Sequence, residues 1–202
     1  MSKSKDQDQD ALKGIEKTIK KIGSQQNEIC ERLEGMERRL EALAGARAST
    51  AAGADEVLGF LDQFRSGEAL GEASLGAWIA VSSTDCLRGG LRTIQLREGM
   101  HARLLEQRIK ELGGSATAEV PEAIFDAVMK DAGDADKSDA DKVKEFVARF
   151  PDVDAAIQPI LDMASKAGRA GDEETQSLLE TIAQDERSTL VFLQSACAQL
   201  NP

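Results

Sequence analysis

The chain has 202 residues, 41% of them hydrophobic and 30% charged, enough to build one sizeable core and too apolar for wholesale disorder. Aromatics make up 3%, tyrosine is absent and only four prolines occur, which disfavours β-sandwiches and barrels and predicts an all-α protein. A formal net charge of −11 repels phosphate backbones and argues against nucleic acid as a partner.

Residues 1–10, MSKSKDQDQD, carry no apolar run, so they are expected to be disordered rather than a targeting segment. The longest apolar stretch, Leu75 to Val81, is too short to span a bilayer. No membrane partner and a cytoplasmic location are therefore expected. Cys30, Cys86 and Cys197 lie far apart without paired spacing, which provides no disulfide framework and no zinc motif and suits a reducing compartment.

From 11 to 44 the apolar positions follow a heptad. Leu12, Ile19, Gln26, Leu33 and Leu40 fall at a, and Ile15, Ile22, Ile29, Met36 and Leu43 at d, so only Gln26 interrupts the seam. A stripe this narrow keeps register in a supercoil and suits a partner helix better than a globular core. Leucine at a with isoleucine at d disfavours two strands, which predicts a parallel homo-oligomer, a trimer or tetramer, with the Gln26 amides fixing register. Residues 45–54 are small, polar and glycine-containing, as in a linker, and 55–202 form the body that carries the acidity.

In the body the pattern predicts a helical lead-in over Asp55–Arg65, a helix over Gly67–Ser82, a turn at Ser83–Asp85 and a long helix from Cys86 to Leu112, stopped by Gly113-Gly114. A crossover follows, broken by Pro121, Gly133 and Pro151, with short amphipathic runs at Ala123–Met129 and Val143–Phe150. A helix over Asp152–Ala167, a turn at Gly168–Gly171 and a last helix to Leu200 complete two antiparallel hairpins joined by a long crossover, one form of four-helix bundle.

Two stripes in this bundle are not purely apolar. One runs Ile94, Glu98, His101, Leu105, and the other runs Ile182, Glu186, Thr189, Leu193 with the same spacing. Residues three apart lie about 60° apart around a helix, so Glu98 and His101, the chain's one histidine, can enter the same cavity. A turn centred near Asp85 sets Glu72 level with Glu98, and Glu72 shares a stripe with Leu75 and Ile79. Ionisable groups at one level of a bundle interior cost several kcal/mol each unless paired, protonated or bound to a cation. Asp185, beside Glu186, is expected to face water.

The stretches LRTIQLREGMHARLLEQRIKELGG and DEETQSLLETIAQDERSTLVFLQ, with Glu98-x-x-His101 in the first and Glu186 equivalently placed in the second, resemble the ferritin-like superfamily, rubrerythrin-type proteins in particular. The resemblance covers Gly67 to Leu200. It implies a ferritin-like four-helix bundle in which each hairpin supplies a lone Glu and a Glu-x-x-His to hold iron or manganese. By that resemblance Glu72, Glu98, His101 and Glu186 are metal ligands for one or two ions, with oxygen, peroxide or ferrous-oxidation chemistry. The sequence departs from the pattern at Thr189, which stands where a second histidine belongs and leaves a position for water. Asp154 and Asp162 both stand as candidates for the third-helix acid.

The competing reading is a non-enzymatic oligomeric scaffold that keeps the bundle and binds no metal, with His101 a core histidine bonded to Glu72 or Glu98. A cage-forming iron store fits a coiled-coil arm less well, because such an arm closes small bundles more naturally than shells. Phosphate-loop, serine-hydrolase and zinc-protease motifs are absent from the sequence.

Overall fold

The computed structural model describes residues 50–201; the heptad helix over 11–44, with Gln26 and Cys30, the N-terminal 1–10 segment and the first part of the 45–54 linker lie outside them. Among the described residues there are six α-helices and no strand. They are α1 (Thr50–Val81), α2 (Asp85–Glu111), α3 (Glu122–Ala132), α4 (Asp139–Arg149), α5 (Val153–Arg169) and α6 (Glu173–Leu200). No described helix is long and apolar enough to cross a membrane.

The helices α1 and α2 form one hairpin, α5 and α6 the other, and α3 and α4 make the crossover, α3 resting on α1 and α4 on α6. Helix α2 stops where Gly113 adopts φ +78°, a conformation that favours glycine, and Gly114 N–H then bonds back to Ile109 O at 2.9 Å. Helix α5 stops in the same way, with Gly171 at φ +85° and Asp172 N–H bonding to Ala167 O. Asp172 then caps α6 by accepting from Thr175 N–H.

Two expected boundaries differ. The lead-in and first helix are one continuous α1, which begins at Thr50, inside the segment expected as a linker, and passes through Gly59, Gly67, Gly71 and Gly76. The first inter-helix turn is Ser82–Thr84, centred on Ser83 rather than near Asp85. Two of these glycines serve packing: a Cβ on Gly71 would run into the Glu98 carboxylate, and one on Gly76 would lie 2.9 Å from Gln95 Nε2.

The core has two apolar layers. One holds Val57, Leu61, Leu105, Ile109, Ile160, Leu179 and Ile182; the other holds Trp78, Leu87, Leu91, Ile94, Val143 and Leu193. Each of α1, α2 and α6 contributes to both layers, and between the two contributions each places polar residues at the bundle interior. On α2 these are Glu98 and His101, on α6 they are Glu186 and Thr189, and on α1 the buried one is Glu68.

Two aspartates fasten the crossover. Asp62 accepts from the backbone N–H groups of Thr117 and Ala118 at 2.8 and 2.7 Å, while Arg65 donates to Ala118 O. At the other end Asp139 accepts from Trp78 Nε1, Ser82 Oγ and the N–H groups of Ser83 and Thr84, all between 2.8 and 3.1 Å. Burial by itself would raise both carboxyls, but these donors outweigh it and hold them below the ordinary carboxylate range.

Candidate metal centre

His101 is 1% exposed and lies at the middle of the polar layer. Its Nδ1 faces Glu68 Oε2 at 3.0 Å and Glu186 Oε1 at 3.4 Å, and its Nε2 faces Asp185 Oδ2 at 3.1 Å. Burial would favour the neutral ring, but Glu186, Glu68 and Asp185 surround it and push its pKa up to about 10. As an imidazolium it donates from both nitrogens.

The carboxyls respond in the opposite sense. Glu98 is pushed up to about 9, first by burial and then by the charges of Glu186 and Glu68; protonated, it donates to Glu68. Burial likewise raises Glu68. Three ligating atoms, one each from Glu68, His101 and Glu186, lie within 4.8 Å of one another. Buried Glu186 Oε1 makes no hydrogen bond, and the His101 ring at 3.4 Å is the positive group beside it.

Three of the four residues expected from the sequence meet here: Glu98, His101 and Glu186. The fourth, Glu72, stays outside. Its side chain is 43% exposed, lies over Gly99 and comes no closer than 3.9 Å to Arg103. Glu68, one helical turn earlier, occupies the interior position on α1. The difference follows from the turn: Glu68 and Glu98 each lie fifteen residues from Ser83, the observed turn centre, whereas Glu72 and Glu98 are equidistant from Asp85. A two-residue error in a hairpin turn moves the matching position by four residues, which is one turn of helix.

Two further site residues have weaker sequence signals. Asp185 is directed at His101 rather than at water alone, and Arg97 on α2 donates from Nη2 to Thr189 Oγ1 at 2.9 Å while its Nη1 lies 3.5 Å from Asp185 Oδ1. Neither lies on the apolar stripe of its helix; each points along the seam between α2 and α6. Of the third-helix acids, Asp154 pairs with Arg187 at 2.5 Å and is 76% exposed, and Asp162 accepts from Gln158 at the surface. Neither is among the residues around His101.

The donor set suits a divalent transition metal. Several carboxylates offset the ion's charge and an imidazole supplies a nitrogen donor. Asp185 at Nε2 leaves Nδ1 as the ring nitrogen turned towards Glu68 and Glu186, the usual division between ligating atom and orienting carboxylate.

Two antiparallel hairpins joined by a long crossover, with a polar layer across the middle, define a ferritin-like four-helix bundle. Among solved structures the chain is similar to the X-ray structure of Dps from Thermosynechococcus elongatus, with a TM-score of 0.58 and 16% sequence identity over 73% of this chain and 94% of that one. The likeness is one of fold. The sequence matches no protein-family model and no curated protein.

Proposed function

We propose that the bundle binds a divalent transition-metal ion, iron or manganese, through Glu68, Glu98, His101 and Glu186. The observation that carries this reading is the buried His101 Nδ1 facing two carboxylates, with one ligating atom each from Glu68, His101 and Glu186 within 4.8 Å of one another. Such an ion, when bound, supplies redox chemistry towards oxygen or peroxide, or is itself ferrous substrate for oxidation. The chain's residues divide the remaining work. Glu68, Glu98 and Glu186 neutralise charge, Asp185 fixes the imidazole, and the apolar layers on either side limit water. The heptad pattern of residues 11–44 supports assembly of the chain as a homo-oligomer, and a cytoplasmic location goes with this reading.

The test is elemental analysis after anaerobic ferrous or manganous loading and desalting. Wild type is expected to retain metal, and Glu98→Ala with His101→Ala to lose it. Glu72→Ala should retain it. If wild type and the double variant are equally empty, the metal reading fails.

A second reading has its own support. His101 already has carboxylate partners at both ring nitrogens, so a protonated cluster can fill the layer without metal, as a scaffold would require. Gly71→Ala offers a gentler discrimination. The added Cβ collides with the end of the Glu98 side chain, which is flexible enough to yield without unfolding the helix. The variant is expected to fold, with circular dichroism unchanged, and to bind metal at least tenfold more weakly. Unchanged metal affinity would remove Glu98 from the ligand set.

A further inference from the structure

We propose that the Arg97 guanidinium is a tethered cation holding the place of a second metal ion, so that the bundle takes one divalent ion per chain. The inference rests on the metal reading above and concerns what limits it.

The two hairpins carry matching stripes, so each defines half of a site. The first half is complete: Glu68 on α1, then Glu98 and His101 on α2. In the second half Glu186 corresponds to Glu98, and Thr189 to His101. The position on α5 level with Glu186, fifteen residues from Gly171 at the centre of that turn, is Ala156, followed by buried Ile157. The second half thus lacks both the imidazole and the lone carboxylate of the first.

Arg97 meets this second half at Thr189. It reaches across the seam from α2, donates to the Thr189 hydroxyl at 2.9 Å and lies beside Asp185 at 3.5 Å. The side chain is 22% exposed, and its Nε is buried without a partner. A guanidinium keeps its charge at all working pH values. It therefore offers Asp185 a permanent positive charge that no equilibrium with solvent metal can remove. A divalent ion entering the same half would meet that charge at close range, with a hydroxyl and an alanine where two donors are needed. The same guanidinium also steadies Asp185, which holds His101 Nε2, so the second half has become part of the support for the first.

The test counts metal ions and reads their magnetic coupling, with no assay of turnover. Wild type and two variants are loaded with excess manganous ion and desalted, then examined by elemental analysis and electron paramagnetic resonance, with circular dichroism to confirm folding. Wild type is expected to hold one ion per chain with the six-line signal of an isolated centre. Arg97→Gln with Thr189→His is expected to approach two ions per chain and show the broadened signal of a coupled pair. Arg97→Lys with Thr189→His, which restores the imidazole but keeps the charge, is expected to remain at one.

Two ions in wild type would overturn the inference while leaving metal binding intact. Two ions in the lysine variant would overturn it as well, because the charge would then not be what excludes the second ion. One ion in a folded glutamine variant would also count against it. No ion in wild type would bring down both the inference and the metal reading. Should the double variants fail to fold, the wild-type count alone decides, and more than one ion per chain overturns the inference.

Discussion

Metal-free protein is expected to unfold at a higher temperature near pH 6 than near pH 9. His101 has a folded pKa of about 10, above its ordinary value, so the stability it contributes is full below about 6.5 and is lost as pH rises towards 10. Glu98, pushed up to about 9, acts in the same direction: its contribution is full below its ordinary value near 4.5 and is lost as pH rises from there to about 9. Asp62 and Asp139 lie below the usual carboxylate range, so their contribution is lost only as pH falls below about 4. The stability maximum should therefore lie on the mildly acidic side of neutrality. Calorimetry across this range should show a fall in Tm of about 5 °C or more between pH 6 and 9, the shift expected from a few kcal/mol in a chain of this size. Glu98→Gln should flatten it. At pH 7.5 both His101 and Glu98 hold protons that a metal ion must displace, so manganous binding is expected to release about two protons per ion. Titration in buffers of different ionisation enthalpy measures that number, and release of none would mean the ion binds elsewhere.

Asp139→Ala should be the most damaging single substitution outside the polar layer. Its carboxylate satisfies four donors at once, two of them backbone N–H groups in the α1–α2 turn and one the Trp78 indole, which is almost fully buried. Truncation leaves the indole N–H and the Ser82 hydroxyl without an acceptor in a region that water does not readily enter, at a cost of about 1–3 kcal/mol for each group left unpaired. The sum expected is about 3 kcal/mol, read by urea denaturation at pH 7. Asp139→Asn, which retains one acceptor oxygen, should lose less. A loss below about 1 kcal/mol in the alanine variant would show that these donors find water instead.

The helices were legible because their cues are local. Alternating three- and four-residue spacings, the Gly113-Gly114 stop and the prolines bounding the crossover each act within a few residues, and the observed helices follow them closely. The same locality exposed Glu98, His101 and Glu186, since a polar residue on an otherwise apolar stripe is visible without knowing what faces it. Glu68 was not visible in this way. Its assignment depends on matching two helices across a turn, where a displacement from Ser83 to Asp85 selects Glu72 in its place. Arg97 and Asp185 lie off the stripes and gain meaning only from the neighbouring helix, which no single-helix periodicity records. The role of Gly71 and Gly76 was hidden for a related reason, because they answer to side chains on α2 and not to the local backbone.

The polar layer draws its groups from two hairpins that are covalently joined through the crossover alone. Glu68, Arg97, Glu98 and His101 come from the segment before the exposed Asp134–Asp136 turn, and Asp185, Glu186 and Thr189 from the segment after it. Asp139 adds a grip from the second segment onto the turn of the first. A chain cleaved at that turn would thus yield two fragments, each holding part of one polar layer and neither able to complete it. Reassembly of the fragments would bring the charged groups of the layer back together, and the crossover would be revealed as a tether that sets local concentration while the chemistry of the layer sets the fit.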